Sequence, residues 1–152
     1  MKLYASWVHG SALNCESPVN MNLVGHNGWG AEMSAKPGKS SWFHIAIPTP
    51  VIVADVRAQF SKFFLLFEAS GGRIQEVHIY DGAFKIQEFK DLNRAGPHRL
   101  GLDGANTFVL SAPHSVAFGI GITFSFTADI GFDSQIPPSR LTLASAGVEF
   151  LV

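Results

Sequence analysis

The sequence predicts an all-β chain: a two-sheet antiparallel β-sandwich, jelly-roll-like, with about ten strands in one domain over residues 1–152. Three observations predict it. Apolar residues recur at period two along most of the chain, clusters of Gly, Pro and Asn separate the runs, and a sustained helical period is hard to find. Many short strands, with no change of composition to mark an interdomain linker, suit a single sandwich.

Taken in order, residues 3–9, 19–24, 29–33 and 42–47 are candidate strands, and Asn27-Gly28 turns the hairpin between the second and third. Pro48-Thr49-Pro50 interrupts an apolar run over 43–53. Proline cannot donate to a sheet ladder, so that segment is an edge or a crossover. Residues 62–69 include Phe63, Phe64, Leu65, Leu66 and Phe67 without a polar break, as a mid-sheet strand covered on both faces requires. A hairpin follows, 74–80 and 83–89 around Asp81-Gly82, a pair that favours the type I′ turn. Such a turn sets Ile79 against Phe84 and Val77 against Ile86 on the buried side. It leaves Glu76, His78, Tyr80, Lys85 and Gln87 outside.

Residues 98–102 and 107–111 are weaker candidates. The clearest alternation runs over 115–126, where Val116, Phe118, Ile120, Ile122, Phe124 and Phe126 face the core. Ser115, Ala117, Gly119, Gly121, Thr123 and Ser125 make an opposite face of small residues only. That face suits close approach by a backbone, a second subunit or a flat ligand; the plainer reading is a sharply twisted strand. Near the C-terminus the phase slips from Leu141 and Leu143 to Val148, Phe150 and Val152, as a β-bulge at Gly147 would produce. Polar connections are expected over 34–41, 91–97 and 127–140.

Charged residues make up 15% and apolar residues 47%, so solubilising charge is scarce. Thirteen Phe, three Trp and two Tyr crowd one small interior, and a homo-oligomer is expected to cover what is left outside. Eleven Lys and Arg against twelve Asp and Glu leave no basic excess for a phosphate backbone. Nucleic acid is therefore not an expected partner. Nor is a membrane, because no stretch reaches the roughly 20 uninterrupted apolar residues of a spanning helix, and residues 1–11 lack a signal-like apolar core. Cys15 has no second cysteine to pair with, which makes a reducing cytoplasm the expected location.

Several segments together resemble a family of small, mostly bacterial proteins with a domain of unknown function. They are Trp7-Val8-His9-Gly10, Gly28-Trp29-Gly30, Trp42-Phe43-His44 with Ile47-Pro48-Thr49-Pro50-Val51-Ile52, Val77-His78-Ile79-Tyr80-Asp81-Gly82, Gly119-Ile120-Gly121-Ile122 and Ser145-Ala146-Gly147. The resemblance covers nearly the whole chain. It implies a single β domain and carries over no catalytic residue.

Six histidines raise the question of a metal, but no His-x-His pair, Cys pair or His-Glu-x-x-His helix is present, and neither metal nor cofactor is expected. Period two puts His9 beside Trp7 and His44 beside Trp42, an arrangement suited to ligand stacking. The plainer alternative has each Trp filling core while each His caps a carbonyl at the sheet margin. Glu76, His78, Tyr80 and Lys85 form a second polar cluster, read as a solvated face unless something covers it. Asp81 is explained by its turn. An acidic neighbour, Glu16, argues against a reactive Cys15 thiolate.

The expected function is a noncatalytic binding module for a sugar or aromatic small molecule, with Trp7, His9, Trp29, Trp42, His44, His78 and Tyr80 as candidate ligand-binding residues. Two alternatives stay open. One is a cofactor-free cyclase or isomerase using His44 or His78 with Glu76 or Asp81 in an enclosed cavity. The other is a self-assembling structural subunit.

Overall fold

The alternating runs become strands in a computed structural model that describes residues 1–131 and 138–152. They are β1 (Leu3–His9), β2 (Asn14–Cys15), β3 (Met21–Asn27), β4 (Gly30–Ala35), β5 (Ser40–Ala46), β6 (Ile52–Val53), β7 (Val56–Arg57), β8 (Gln59–Asp81), β9 (Phe84–Phe89), β10 (Arg94–His98), β11 (Thr107–Ser115), β12 (Ile120–Ala128) and β13 (Arg140–Leu151). Helical structure among the described residues is limited to two short 3-10 turns, Gly10–Ala12 and Pro18–Asn20. The chain is all-β, and every strand pairing is antiparallel.

Eleven strands hydrogen-bond into one sheet, while β6 and β7 form a small hairpin of their own. The spine is β8, 23 residues long. Along one side it pairs first with β13 and then with β12; along the other it pairs in turn with β11, β10 and β9. The exchange of β13 for β12 falls at Gly71-Gly72, between Ser70, opposite Arg140, and Gly72, opposite Ala128. Gly71 has φ +61°, and a Cβ on Gly72 would lie 2.7 Å from the Thr127 carbonyl oxygen, so this corner admits only glycine. From β13 the sheet continues to β1 and to β4 and β3, and from β12 to β5 and β2. The ladders thus run through one sheet rather than the two separate ones expected.

Most of the phenylalanine goes inside. Phe43, Phe60, Phe63, Phe64, Phe67, Phe108, Phe124, Phe126 and Phe150 are buried, each contributing about 2 kcal/mol of hydrophobic stabilisation. Phe84 and Phe118 are not. They are 70% and 67% exposed and stack on each other with ring centroids 6.5 Å apart.

Several sequence expectations need correction. The strand expected over 115–126 begins only at Ile120, and Phe118 faces solvent, because Asp81 draws residues 117–119 into a tight loop. The hairpin loop is Gly82-Ala83: Asp81 pairs with Phe84, Tyr80 with Lys85, and a bulge at Ile86 then places Gln87 opposite Ile79 and Glu88 opposite His78. Phe84 therefore does not meet Ile79. The C-terminal phase slip lies between Leu143 and Ser145 instead of at Gly147, with a second shift between Glu149 and Phe150. Residues 99–102 form a loop, while β10 occupies part of the expected connection over 91–97 and ends on His98, and the middle of the connection over 127–140 lies outside the described residues.

Candidate functional site

The half of the sheet formed by β5, β12, the end of β8 and β9 presents a groove on its outer face. Register builds it. Gly121 of β12 lies between Ala46 of β5 and Tyr80 of β8, Thr123 lies between His44 and His78, and Ser125 lies between Trp42 and Glu76. Small residues on the middle strand, flanked by Trp42 and His44 on one side and Glu76, His78 and Tyr80 on the other, leave a trough, since side chains of one face stand in cross-strand rows. Its floor is open at Gly121, where an added Cβ would meet nothing within 4 Å. Neither backbone conformation nor packing requires glycine there.

Two adjoining recesses fill the trough, of about 400 and 250 Å³. Both are lined by His44, Tyr80 and Thr123; the larger extends to Asn14, Gly82 and Gly121, and the smaller to Glu16, Trp42, His78 and Lys85. Asn14 and Glu16 come from the far edge. The two-residue strand β2 pairs Asn14 with His44 and Cys15 with Phe43, and the Glu16 amide donates to the Trp42 carbonyl at 2.9 Å.

Inside the groove the Trp42 and His78 rings lie 4.8 Å apart, tilted by 47°. His44 Nδ1 is 2.8 Å from Thr123 Oγ1, and its Nε2 is 3.6 Å from a Glu16 carboxylate oxygen. His78 is only 8% exposed. Its Nε2 sits 3.4 Å from Glu76 yet is misaligned, so that nitrogen is buried with no hydrogen-bond partner among the described residues. Burial, followed by the nearby Lys85 ammonium, holds the His78 pKa below the ordinary histidine value against the opposing pull of Glu88 and Glu76. His78 is neutral at pH 7. Because its folded pKa is depressed below the unfolded value, the fold loses stability as pH falls through 6.5, and urea midpoints should drop between pH 7 and 5 in a way that His78→Phe abolishes.

One end of the groove is held by Asp81, whose side chain is buried. The Ala117 amide donates to Oδ2 at 2.6 Å, the Phe118 and Gly119 amides donate to Oδ1 at 2.8 and 2.9 Å, and His114 Nε2 is 2.8 Å from Oδ2. Burial pushes this carboxyl up, but the three amides and His114 outweigh it and bring the pKa down to about 2. Asp81 is thus a clamp between the β8–β9 turn and the start of β12, a correction to its reading as a turn residue. The positive φ belongs to Gly82.

Four of the seven candidate residues, Trp42, His44, His78 and Tyr80, converge in this groove. The other three lie elsewhere. Trp7 packs flat across Gly147 onto Phe64, with ring centroids 5.4 Å apart, and a Cβ on Gly147 would strike its indole at 2.5 Å. His9 Nδ1 accepts the Ser11 amide and caps the first 3-10 turn. Trp29 stands in the β3–β4 turn under the Arg99 guanidinium, 5.6 Å from it. Sequence reasoning did not find Asn14 and Glu16, since a two-residue strand leaves no periodic signal.

Among the described residues no three His, Cys, Asp or Glu side chains are grouped to hold a metal ion. No helix among them is long and apolar enough to cross a membrane. Both recesses beside His44 are open grooves rather than enclosed cavities. Fold and groove together define an all-β protein with an aromatic-walled trough on one sheet face. The chain belongs to the family of unknown function DUF6623, whose model matches residues 1–150. No curated protein matches it.

Proposed function

We propose that the protein is a noncatalytic binding module whose trough between β5 and β8 takes a small ring-bearing ligand, a sugar or an aromatic molecule, against Trp42. The observation that carries this reading is Gly121, a glycine in a regular strand that neither φ nor packing demands and whose absent side chain keeps the trough open. Trp42 and Tyr80 supply ring surface, and His44, His78, Asn14 and Glu16 supply hydrogen-bonding groups around it. A Gly121→Val variant tests it. Valine suits a strand, so the melting temperature should hold or rise, while tryptophan fluorescence titration with sugars and aromatic metabolites should lose its response. Unchanged binding in a folded variant would contradict the proposal. Trp42→Ala should weaken binding at least about tenfold, equivalent to about 1.4 kcal/mol.

A second reading, self-association, is favoured by the exposed Phe84–Phe118 stack at the edge of the same half-sheet. Light scattering at micromolar concentration tests it: a dimer or larger species that Phe118→Ser dissociates supports it, and a monomer contradicts it. The exchange of partners on β8 at Gly71-Gly72 and the continuous buried cluster support reading the sheet as two layers of a jelly-roll-like sandwich. The lone thiol of Cys15 supports a reducing, cytoplasmic setting.

A further inference from the structure

We propose that the groove selects a neutral, hydroxyl-rich ring, the face of a pyranose, over anionic and purely aromatic ligands; this rests on the binding reading above. The evidence is the balance of donors, acceptors and charge along the trough. The Glu16 carboxylate is half exposed, with His44 Nε2 3.6 Å away. Asn14 donates its amide nitrogen to the Ala12 carbonyl at 3.3 Å, which turns its oxygen to other uses. Glu76 and His78 Nε2 face each other across 3.4 Å without forming a hydrogen bond. Hydroxyls satisfy such a set. Each donates to a carboxylate or amide oxygen, so the Glu16 carboxylate and the Asn14 oxygen that line the trough can each take a sugar hydroxyl.

Charge disfavours an anion. The Lys85 ammonium is bound by Glu88, and Glu88 also holds Lys90 at 3.0 Å, so the cations beside the groove are already neutralised. His78 is neutral because of its burial. An anionic ligand would meet the Glu16 carboxylate with the Lys85 charge already spent on Glu88. A flat aromatic ligand could lie on Trp42 but would leave the polar rim unmatched, which costs about 1–3 kcal/mol for each desolvated group left unpaired. A pyranose brings C–H bonds to the indole and O–H bonds to the rim at once.

Isothermal titration calorimetry on the full chain tests this. The probes are glucose, galactose, mannose, N-acetylglucosamine, cellobiose and maltose, then the uronate of whichever sugar binds, then choline and benzoate. At least one neutral sugar should saturate with a dissociation constant near the millimolar range. Its uronate should bind at least about tenfold more weakly, Glu16→Gln should narrow that gap, and Trp42→Ala should abolish the heat. If choline or benzoate binds in a manner that Gly121→Val blocks while no neutral sugar does, the ligand class is wrong and the groove reading stands. If no probe gives heat up to about 10 mM, both are overturned.

Discussion

Replacing Asp81 by Asn is expected to lower the unfolding free energy by about 3 kcal/mol at pH 7, because one acceptor becomes a donor facing groups that already donate. The loop over 117–119 and His114 all point donors at this carboxylate. Asparagine can satisfy those on one oxygen only. The pH dependence follows from the depressed pKa: a carboxyl at about 2 when folded and 3.8 when unfolded contributes stability that is fully present above pH 3.8 and is lost as pH falls toward 2. A shift of that size corresponds to about 2 kcal/mol. Urea unfolding of wild type and Asp81→Asn across pH 2–7 should show the difference between them shrinking through that window. A constant difference would contradict the clamp. Since Asp81 anchors the start of β12, the variant should also loosen the groove beside Gly121 and Tyr80.

Gly30→Ala is expected to be at least as damaging, costing about 3–5 kcal/mol or preventing folding. Gly30 has φ +144°, a region open essentially to glycine, and a Cβ there would lie 2.1 Å from the Leu143 carbonyl oxygen. A Cβ on Gly10 would lie 1.8 Å from the same oxygen. The two glycines close on the β13 backbone where its register slips, between Leu143 and Ser145. That contact explains Trp7-Val8-His9-Gly10 and Gly28-Trp29-Gly30 as packing devices around a bulge. Gly28→Ala, with nothing within 4 Å of its Cβ, is the control and should cost less than about 1 kcal/mol in a thermal melt.

Apolar runs between turn residues made several strands legible: β1 falls over the residues expected, and β5 and β11 fall close to them. The unbroken run around Phe63 to Phe67 likewise lies mid-sheet, paired on both sides. What alternation could not convey is continuity through glycine. Ser70-Gly71-Gly72 reads as a break, yet β8 passes straight through it and thereby joins the two halves of the sheet. β10 was hidden because Arg94-Ala95-Gly96-Pro97-His98 has no β-branched residue, and its place is held by pairing with β8.

The site was legible in part, for the same reason. Trp42 and His44 share a face because they are two residues apart, as do His78 and Tyr80, but only the pairing of β5 and β8 to opposite sides of β12 brings the two pairs together. Nothing in the spacing of Trp7 and Trp29 distinguishes them from Trp42. Their partners do, since Phe64 and Gly147 receive one and Arg99 the other. Asp81 was misread because Asp-Gly is so strong a turn signal that a buried clamp beside it leaves no mark in the sequence.

The trough is tested most directly by two-dimensional amide NMR of the labelled protein during titration with the neutral sugar that gives heat in calorimetry. Shift changes should concentrate on Asn14, Trp42, His44, His78, Tyr80, Gly121 and Thr123 and spare Trp7 and Trp29. Changes centred on Trp7 or Trp29, with the β5–β12–β8 face silent, would contradict it.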